Sequence, residues 1–312
     1  MEKYKYNSTE DYFGMDVEDS FEQIINDDIN ILNEFEYFQL FFSYDMISFL
    51  SDESNNYIRN KLLNEYGSNY KEKIKANKKY NTYEYLYITK GISNLDILAF
   101  IAIRIYMGFH KYPSIECYWK NDKLYDNIIS KIMSKEYYFL LEYSLHFPIK
   151  SNDESTNIDI DKNDPLIKIE IFLEKLCKNF QKYNKLWSNI TIDESLLHFT
   201  GRNNMKFYIP MKPHKWGFKI HLLCDSNTKY LYNMLFDPGK DGKDFIYYED
   251  NKTIAESIVL RLLKPLNDGK KRNIFFDGWY SSISLLNKLS NLGYLNTTVL
   301  KNNAKDMPSK IK

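Results

Sequence analysis

Cysteine is scarce in this 312-residue sequence. Cys117, Cys177 and Cys224 are odd in number and far apart, which excludes a disulfide-stapled scaffold and any Cys-x-x-Cys zinc motif within the chain. A reducing, intracellular setting is the plain implication. No run of about 18 apolar residues exists, so no membrane-spanning helix is expected. Met1–Ser20 is acidic and lacks the apolar centre of a secretory signal. Net charge is missing too, because 42 Lys and Arg balance 42 Asp and Glu. The balance is uneven along the chain. The first ~36 residues are acidic and the stretch from about Lys185 to Lys312 carries a basic excess, so a basic face suited to a polyanion can hide inside a neutral total. Ordinary solvated surface accounts for the same charges equally well.

What the chain does hold is apolar and aromatic. At 44% hydrophobic residues it can bury a sizeable core, and its length suits two domains or one domain with an extension. Aromatic residues reach 16%, with 27 Tyr and 20 Phe. Together with abundant Asn, Lys and Ile, this richness is what A/T-rich coding produces. Single Tyr, Asn or Lys residues therefore carry little functional weight.

The segment 1–34 reads as an acidic, disordered tail, with a short helix possible near Phe21–Leu32. Residues 35–186 read as helical. Apolar residues at three-to-four spacing predict a helix over Phe35–Asn64, with Ser43 or Asp45 as caps. A solvated connection follows from about Tyr66 to Tyr83. Ser93 caps a helix over Asn94–Met107, which Gly108 ends. Shorter helices are expected from Pro113 toward Trp119, over Ile128–Met133 and over Lys135–His146. Ser151–Asn163 reads as a linker, and Asp164-Pro165-Leu166 opens a helix over Ile167–Tyr183. From 187 to 312 the pattern changes. Strands are expected at Ile190–Asp193, Phe207–Ile209, Gly217–Cys224 and Tyr230–Phe236. A helix at Thr253–Leu266, a strand at Ile274–Asp277, a helix at Ser282–Leu292 and a strand at Thr297–Lys301 complete a mixed α/β layer.

Two of those strands end in an aspartate, Asp193 and Asp277. Carboxylates on neighbouring buried strands are held rigidly and can share a divalent cation. Mg²⁺ takes a few carboxylates plus water and phosphate oxygens, and paired cations clamp both oxygens of an in-line phosphoryl displacement. Turn or cap aspartates give the same spacing. Glu194, next in the strand, faces the other side and reads as a surface or capping residue. The loop Tyr208–Gly217 sets Lys212 and Lys215 beside Trp216 and suits phosphate contact or a plain hairpin turn. Arg202, after Gly201, has the reach for a phosphate as well. His198 and His214 are not spaced as a zinc pair.

These blocks resemble the piggyBac transposases and their domesticated derivatives. The most specific are Ile192-Asp193-Glu194 with Gly201-Arg202, Lys212-Pro213-His214-Lys215-Trp216-Gly217, and Asp277-Gly278-Trp279-Tyr280-Ser281-Ser282. Tyr106-Met107-Gly108, Lys111-Tyr112-Pro113-Ser114, Leu145-His146-Phe147 and Asp164-Pro165-Leu166 support them in the right order. The resemblance implies a helical dimerisation and DNA-binding-like region followed by an RNase H-like catalytic fold. It implies Asp193 and Asp277 as the first two of three catalytic aspartates, with Mg²⁺ or Mn²⁺ as cofactor. It also implies DNA as partner, a homodimer, a nuclear location, and cut-and-paste strand cleavage and transfer.

Departures from the family pattern shape the expectation. The family's third aspartate and its cysteine-rich zinc module lie beyond the segment matching Thr297–Lys301, whereas Asp306 falls in the family's Lys-Asn-rich loop. Gly278 stands where relatives carry Asn. The expectation is therefore an RNase H-like fold that is incomplete at its C-terminus and a chain that does not cleave DNA alone. A non-catalytic DNA-binding or dimerisation protein, and a piece of a full transposase, are the alternatives.

Overall fold

The computed structural model describes residues 33–76, 82–147, 165–239, 253–266 and 268–300. The acidic tail, the Ser151–Asn163 linker and the end of the last expected strand lie outside them. The chain divides into two compact units, residues 42–150 and a second unit made of 1–41 with 151–312.

Helix α1 (Glu34–Phe41) belongs to the second unit. The first unit consists of helices α2 (Tyr44–Tyr66), α3 (Tyr70–Ala76), α4 (Thr82–Lys90), α5 (Asn94–Phe109), α6 (Ile129–Ile132) and α7 (Lys135–Ser144), with two 3₁₀ turns between α5 and α6. The apolar stripe that predicts one helix over Phe35–Asn64 is cut at residues 42–43, so α1 and α2 are separate. On α2, Ile47, Leu50, Ile58 and Leu62 are buried at helical spacing. Helix α5 begins as expected, with Ser93 and Asp96 forming a reciprocal capping box. It runs on through Gly108, because that glycine does not take the left-handed conformation that ends helices. The stretch read as a solvated connection contains α3 and the start of α4. Tyr70 and Ile74, four residues apart, are buried there, and tertiary packing overrides a weak local pattern.

The second unit is a six-stranded mixed sheet with helices against it. Its strands are β1 (Asn189–His198), β2 (Lys206–Tyr208), β3 (Trp216–Asp225), β4 (Leu231–Phe236), β5 (Asn273–Phe276) and β6 (Leu295–Thr298). The order is β2-β3-β1-β5-β6, with β4 also paired to β3. Strand β3 is antiparallel to β1, β2 and β4, while β1–β5 and β5–β6 are parallel. A parallel pair needs a crossover. Helix α10 (Ile283–Asn291) supplies it between β5 and β6. Helix α8 (Glu170–Tyr183) packs on β4, and α9 (Ile254–Leu263) packs on β3 and β4.

One face of the sheet is the core face. Ile190, Ile192, Leu223, Ile274 and Phe276 bury themselves against Ile258, Val259 and Leu262 of α9 and Leu285 and Leu289 of α10. Each such side chain contributes about 1.5–3 kcal/mol through burial. Thr253 and Ser282 cap the two helices with their side-chain oxygens. The period of two then sends Thr191 and Asp193 of β1, and Phe275 of β5, to the opposite face.

A candidate metal and DNA site on the central strands

The two aspartates follow adjacent, paired strand segments. The β1–β5 ladder runs in parallel to the pair Ile192–Phe276. Asp193 and Asp277 are the residues that directly follow that pair. Both residues are solvent-exposed. Asp277 directly follows its strand, as expected. Asp193 is not at a strand end. Strand β1 continues to His198 because Glu194–His198 pair with Gly217–His221 of β3, a partnership that no local feature of β1 announces. Gly217 makes the far end of that ladder possible, since a Cβ there would lie 2.1 Å from the Leu197 carbonyl oxygen.

Each carboxylate is positioned by backbone. Asp193 Oδ1 accepts from the Glu194 N–H at 2.7 Å, and Asp277 Oδ1 accepts from the Trp279 N–H at 2.8 Å. The second oxygen of each has no protein partner among the described residues. The Asp277 carbonyl accepts from Ser281 Oγ at 3.0 Å and Thr298 Oγ1 at 3.3 Å, tying the turn to β6. Gly278 lets the Val299 carbonyl come close, because a Cβ there would meet that oxygen at 3.0 Å.

Two open carboxylates with free oxygens fit a hard cation that keeps several waters, as Mg²⁺ does. The local field has the matching sign. Burial, and then the negative charges of Asp193 and Asp225, push the Cys224 thiol up to about 11. Among the described residues no group of three His, Cys, Asp or Glu side chains is placed to hold a metal.

The other expected residues divide into two groups. Lys212 reaches back to β1, with Nζ 3.2 Å from the Glu194 carbonyl oxygen and 3.5 Å from Glu194 Oε1. Glu194 faces away from Asp193, as the strand period requires, and pairs with Lys212 there. Arg202, Lys215 and Trp216 are not brought to the carboxylates. Trp216 opens β3 beside Phe199, whose N–H donates to the Trp216 carbonyl at 3.2 Å. That is about 20 Å along β1 from Asp193. Arg202 and Lys215 are exposed in the flanking loops. Trp216 packs on Tyr208 with ring centroids 4.7 Å apart, and Lys206 Nζ lies 4.8 Å from its centroid. The arrangement is a basic, aromatic tip at one end of the β1–β3 ladder. His198 and His214 meet there, their rings 4.5 Å apart.

A buried polar cluster behind Asp277 escaped the sequence reading. His221 Nδ1 lies 2.7 Å from the Tyr280 hydroxyl and its Nε2 lies 3.4 Å from Asp237 Oδ2. Trp279 stacks on the His221 ring at 5.6 Å, and Lys219 Nζ sits 4.0 Å from the Trp279 centroid. The available signal was Lys219 and His221 at alternating positions on the core face of an otherwise apolar strand.

Comparisons with known proteins give the family and the fold. The family model described as "Transposase IS4" matches residues 33–312. Human PiggyBac transposable element-derived protein 3 is 23% identical over 222 residues, covering 70% of this chain and 36% of that protein. Human PiggyBac transposable element-derived protein 2 is 22% identical over 259 residues, covering 82% and 38%. The chain thus spans well under half the length of these relatives. Among solved structures, a piggyBac transposase synaptic complex with hairpin DNA, determined by cryo-EM, matches with a TM-score of 0.68 at 24% identity. That match covers 90% of this chain and 54% of that one, and it establishes the fold. With a helical first half, a mixed sheet and a family match over nearly its whole length, the chain belongs to the piggyBac transposase family of IS4-type DDE transposases.

Proposed function

We propose that this chain is a DNA-binding, piggyBac-derived DDE protein whose Asp193 and Asp277 hold a divalent cation, Mg²⁺ or Mn²⁺, against the DNA backbone. The observation that supports this reading is the parallel register ending at Ile192–Phe276, the pair that Asp193 and Asp277 directly follow. A cation held there would polarise a phosphate and favour an attacking oxygen. The chain's own residues do the rest. The Trp279 and Glu194 amides orient the carboxylates. Lys212 is tied to Glu194 on β1 and braces the basic loop against that strand. Arg202, Lys206, Lys215 and Trp216 offer a tip for backbone contact and stacking. Resemblance to relatives supports a nuclear, homodimeric DNA-bound form.

Two carboxylates make up the proposed site, where the family resemblance implies three. The 312-residue polypeptide is therefore expected to bind DNA and Mn²⁺ without nicking efficiently. Mn²⁺ binding followed by electron paramagnetic resonance, with and without Asp193→Asn and Asp277→Asn, tests the metal half. Equal affinity in both variants would remove the site. Incubating duplex DNA that carries piggyBac-like ends with Mg²⁺ or Mn²⁺ tests the other half. Robust nicking lost on Asp193→Ala would show a complete catalytic centre instead.

A further inference from the structure

The amino-terminal ends of β1 and β5, opposite the carboxylates, frame a pocket of about 360 Å³ lined by Lys185, Trp187, Ser188, Lys270, Lys271 and Arg272. Its two walls are the lead-ins to adjacent parallel strands. They are fixed to each other, since the Asn273 N–H donates to the Ser188 carbonyl at 2.7 Å and Arg272 Nη2 reaches the Leu186 carbonyl at 3.5 Å. Asp225 Oδ2 accepts from the Trp187 N–H at 2.8 Å and holds that wall in place.

The charge of this pocket is unbalanced. Lys185, Lys270 and Lys271 are exposed, and none of their ammonium groups forms an ion pair or hydrogen bond among the described residues, although Lys270 feels the nearby Asp268 carboxylate. Arg272 is buried and bonded through both terminal nitrogens to Asp268, which uses up that carboxylate. Its Nε, also buried, has no acceptor. Three exposed cations around a half-buried indole suit a phosphate with a sugar or base against the ring.

The pocket is also in line with the carboxylates. Asn189, Thr191 and Asp193 share one face of β1, and Asn273 and Phe275 share that face of β5. Asn273 Nδ2 donates to Asn189 Oδ1 at 2.9 Å, and the Thr191 and Ser226 hydroxyls are 2.7 Å apart. A largely polar track therefore runs from the pocket mouth to Asp193, about 13 Å along the strand.

We propose that the pocket of Lys185, Trp187, Lys270 and Lys271 grips a phosphate of the same DNA whose backbone meets Asp193 and Asp277, about four base pairs away at 3.4 Å per step. The inference rests on the DNA-binding reading above. It adds a second anchor that sets the direction of the DNA across the sheet.

The test is the affinity of the 312-residue chain for a labelled 30-base-pair duplex, measured as a function of salt. Lys270→Ala/Lys271→Ala, with both positions exposed, is expected to weaken binding about 10-fold near 0.1 M salt. It should also flatten the log–log salt slope by about 1–2, as loss of one or two phosphate contacts does. Circular dichroism of the variant checks that the fold is kept, and Lys270→Gln/Lys271→Gln serves as a second variant. In a Trp216→Phe background, Trp187→Phe should remove the remaining DNA-induced change in tryptophan fluorescence. Lys212→Ala/Lys215→Ala provides the comparison. If the wild type shows no salt-sensitive DNA binding, the DNA reading itself fails. If the wild type binds and Lys212→Ala/Lys215→Ala weakens it while both pocket variants keep the wild-type slope, only the pocket proposal is overturned. Inorganic phosphate is the second probe. Saturation of the Trp187 signal by phosphate with an unchanged DNA slope would mark a small-anion site and equally overturn the assignment to DNA.

Discussion

The two units bury different chemistry. Among the described residues of the helical unit the buried polar ones are Ser51, Ser54 and Ser144. Its larger polar groups are tyrosines that end on backbone, as Tyr137 does on the Gly91 carbonyl at 2.7 Å and Tyr87 on the Asn55 carbonyl at 3.0 Å. In the sheet unit His221, Asp225, Asp237, Glu256 and Arg272 are all buried. Buried charge is costly unless paired and hydrogen-bonded. Each of these groups is paired, and several of them hold loops in place. Asp225 takes N–H bonds from Trp187, Asn227 and Thr228. His221 grips Tyr280, and Glu256 joins Ser284 and Lys288. One unit uses its interior to hold helices together, and the other also uses it to aim loops.

The sharpest way to break this contrast is to attack each interior in turn and follow hydrogen exchange unit by unit. Tyr138→Ala removes a fully buried ring from the helical core and should cost about 3–5 kcal/mol, read as faster exchange in α5 and α7. Asp225→Ala strands three backbone donors and should cost roughly 2–4 kcal/mol, read as faster exchange in residues 187–230. An Asp225→Ala protein with wild-type exchange there would mean that the buried charge aims nothing.

A pH series sharpens the contrast further. Burial lowers the His221 pKa, opposed by Asp237 and Glu194 and assisted by Lys219. The unfolded side chain takes up its proton near 6.5 while the folded one stays neutral, so this stability is complete above 6.5 and drains as pH falls through the lower folded value. The sheet unit should weaken on mild acidification, and His221→Met should remove that share of the effect. The same slope in the variant would assign it elsewhere. The smallest expected effect is local. Ser93→Ala, which opens the capping box of α5, should cost about 1 kcal/mol, visible as fraying at residues 94–98 and nowhere in the sheet unit.

Much of this was legible from local pattern. The β-branched runs before Asp193 and Asp277 marked both central strands, and Ser93, Thr253 and Ser282 marked helix starts. The capping oxygen is a short-range signal, so no tertiary knowledge was needed. The continuation of β1 to His198 was not legible, because its pairing depends on β3, some twenty residues away. The burial of Tyr70 and Ile74 in a Lys-rich stretch was hidden for the same reason. The basic loop was recognised as basic, but its division was not. Lys212 folds back to Glu194 while Lys215 and Trp216 stay at the far tip.

By itself, the sequence determined the order of elements, the family motifs and the two aspartates, because strand period, caps and motif spacing are properties of neighbours along the chain. Tertiary structure alone decided that the segments leading into Asp193 and Asp277 pair in parallel, that His221 joins Tyr280 and Asp237, and that Lys185 meets Lys270 and Lys271 around Trp187. Those juxtapositions come from the parallel β1–β5 register, and a register between strands eighty residues apart is chosen by which side chains can share a core.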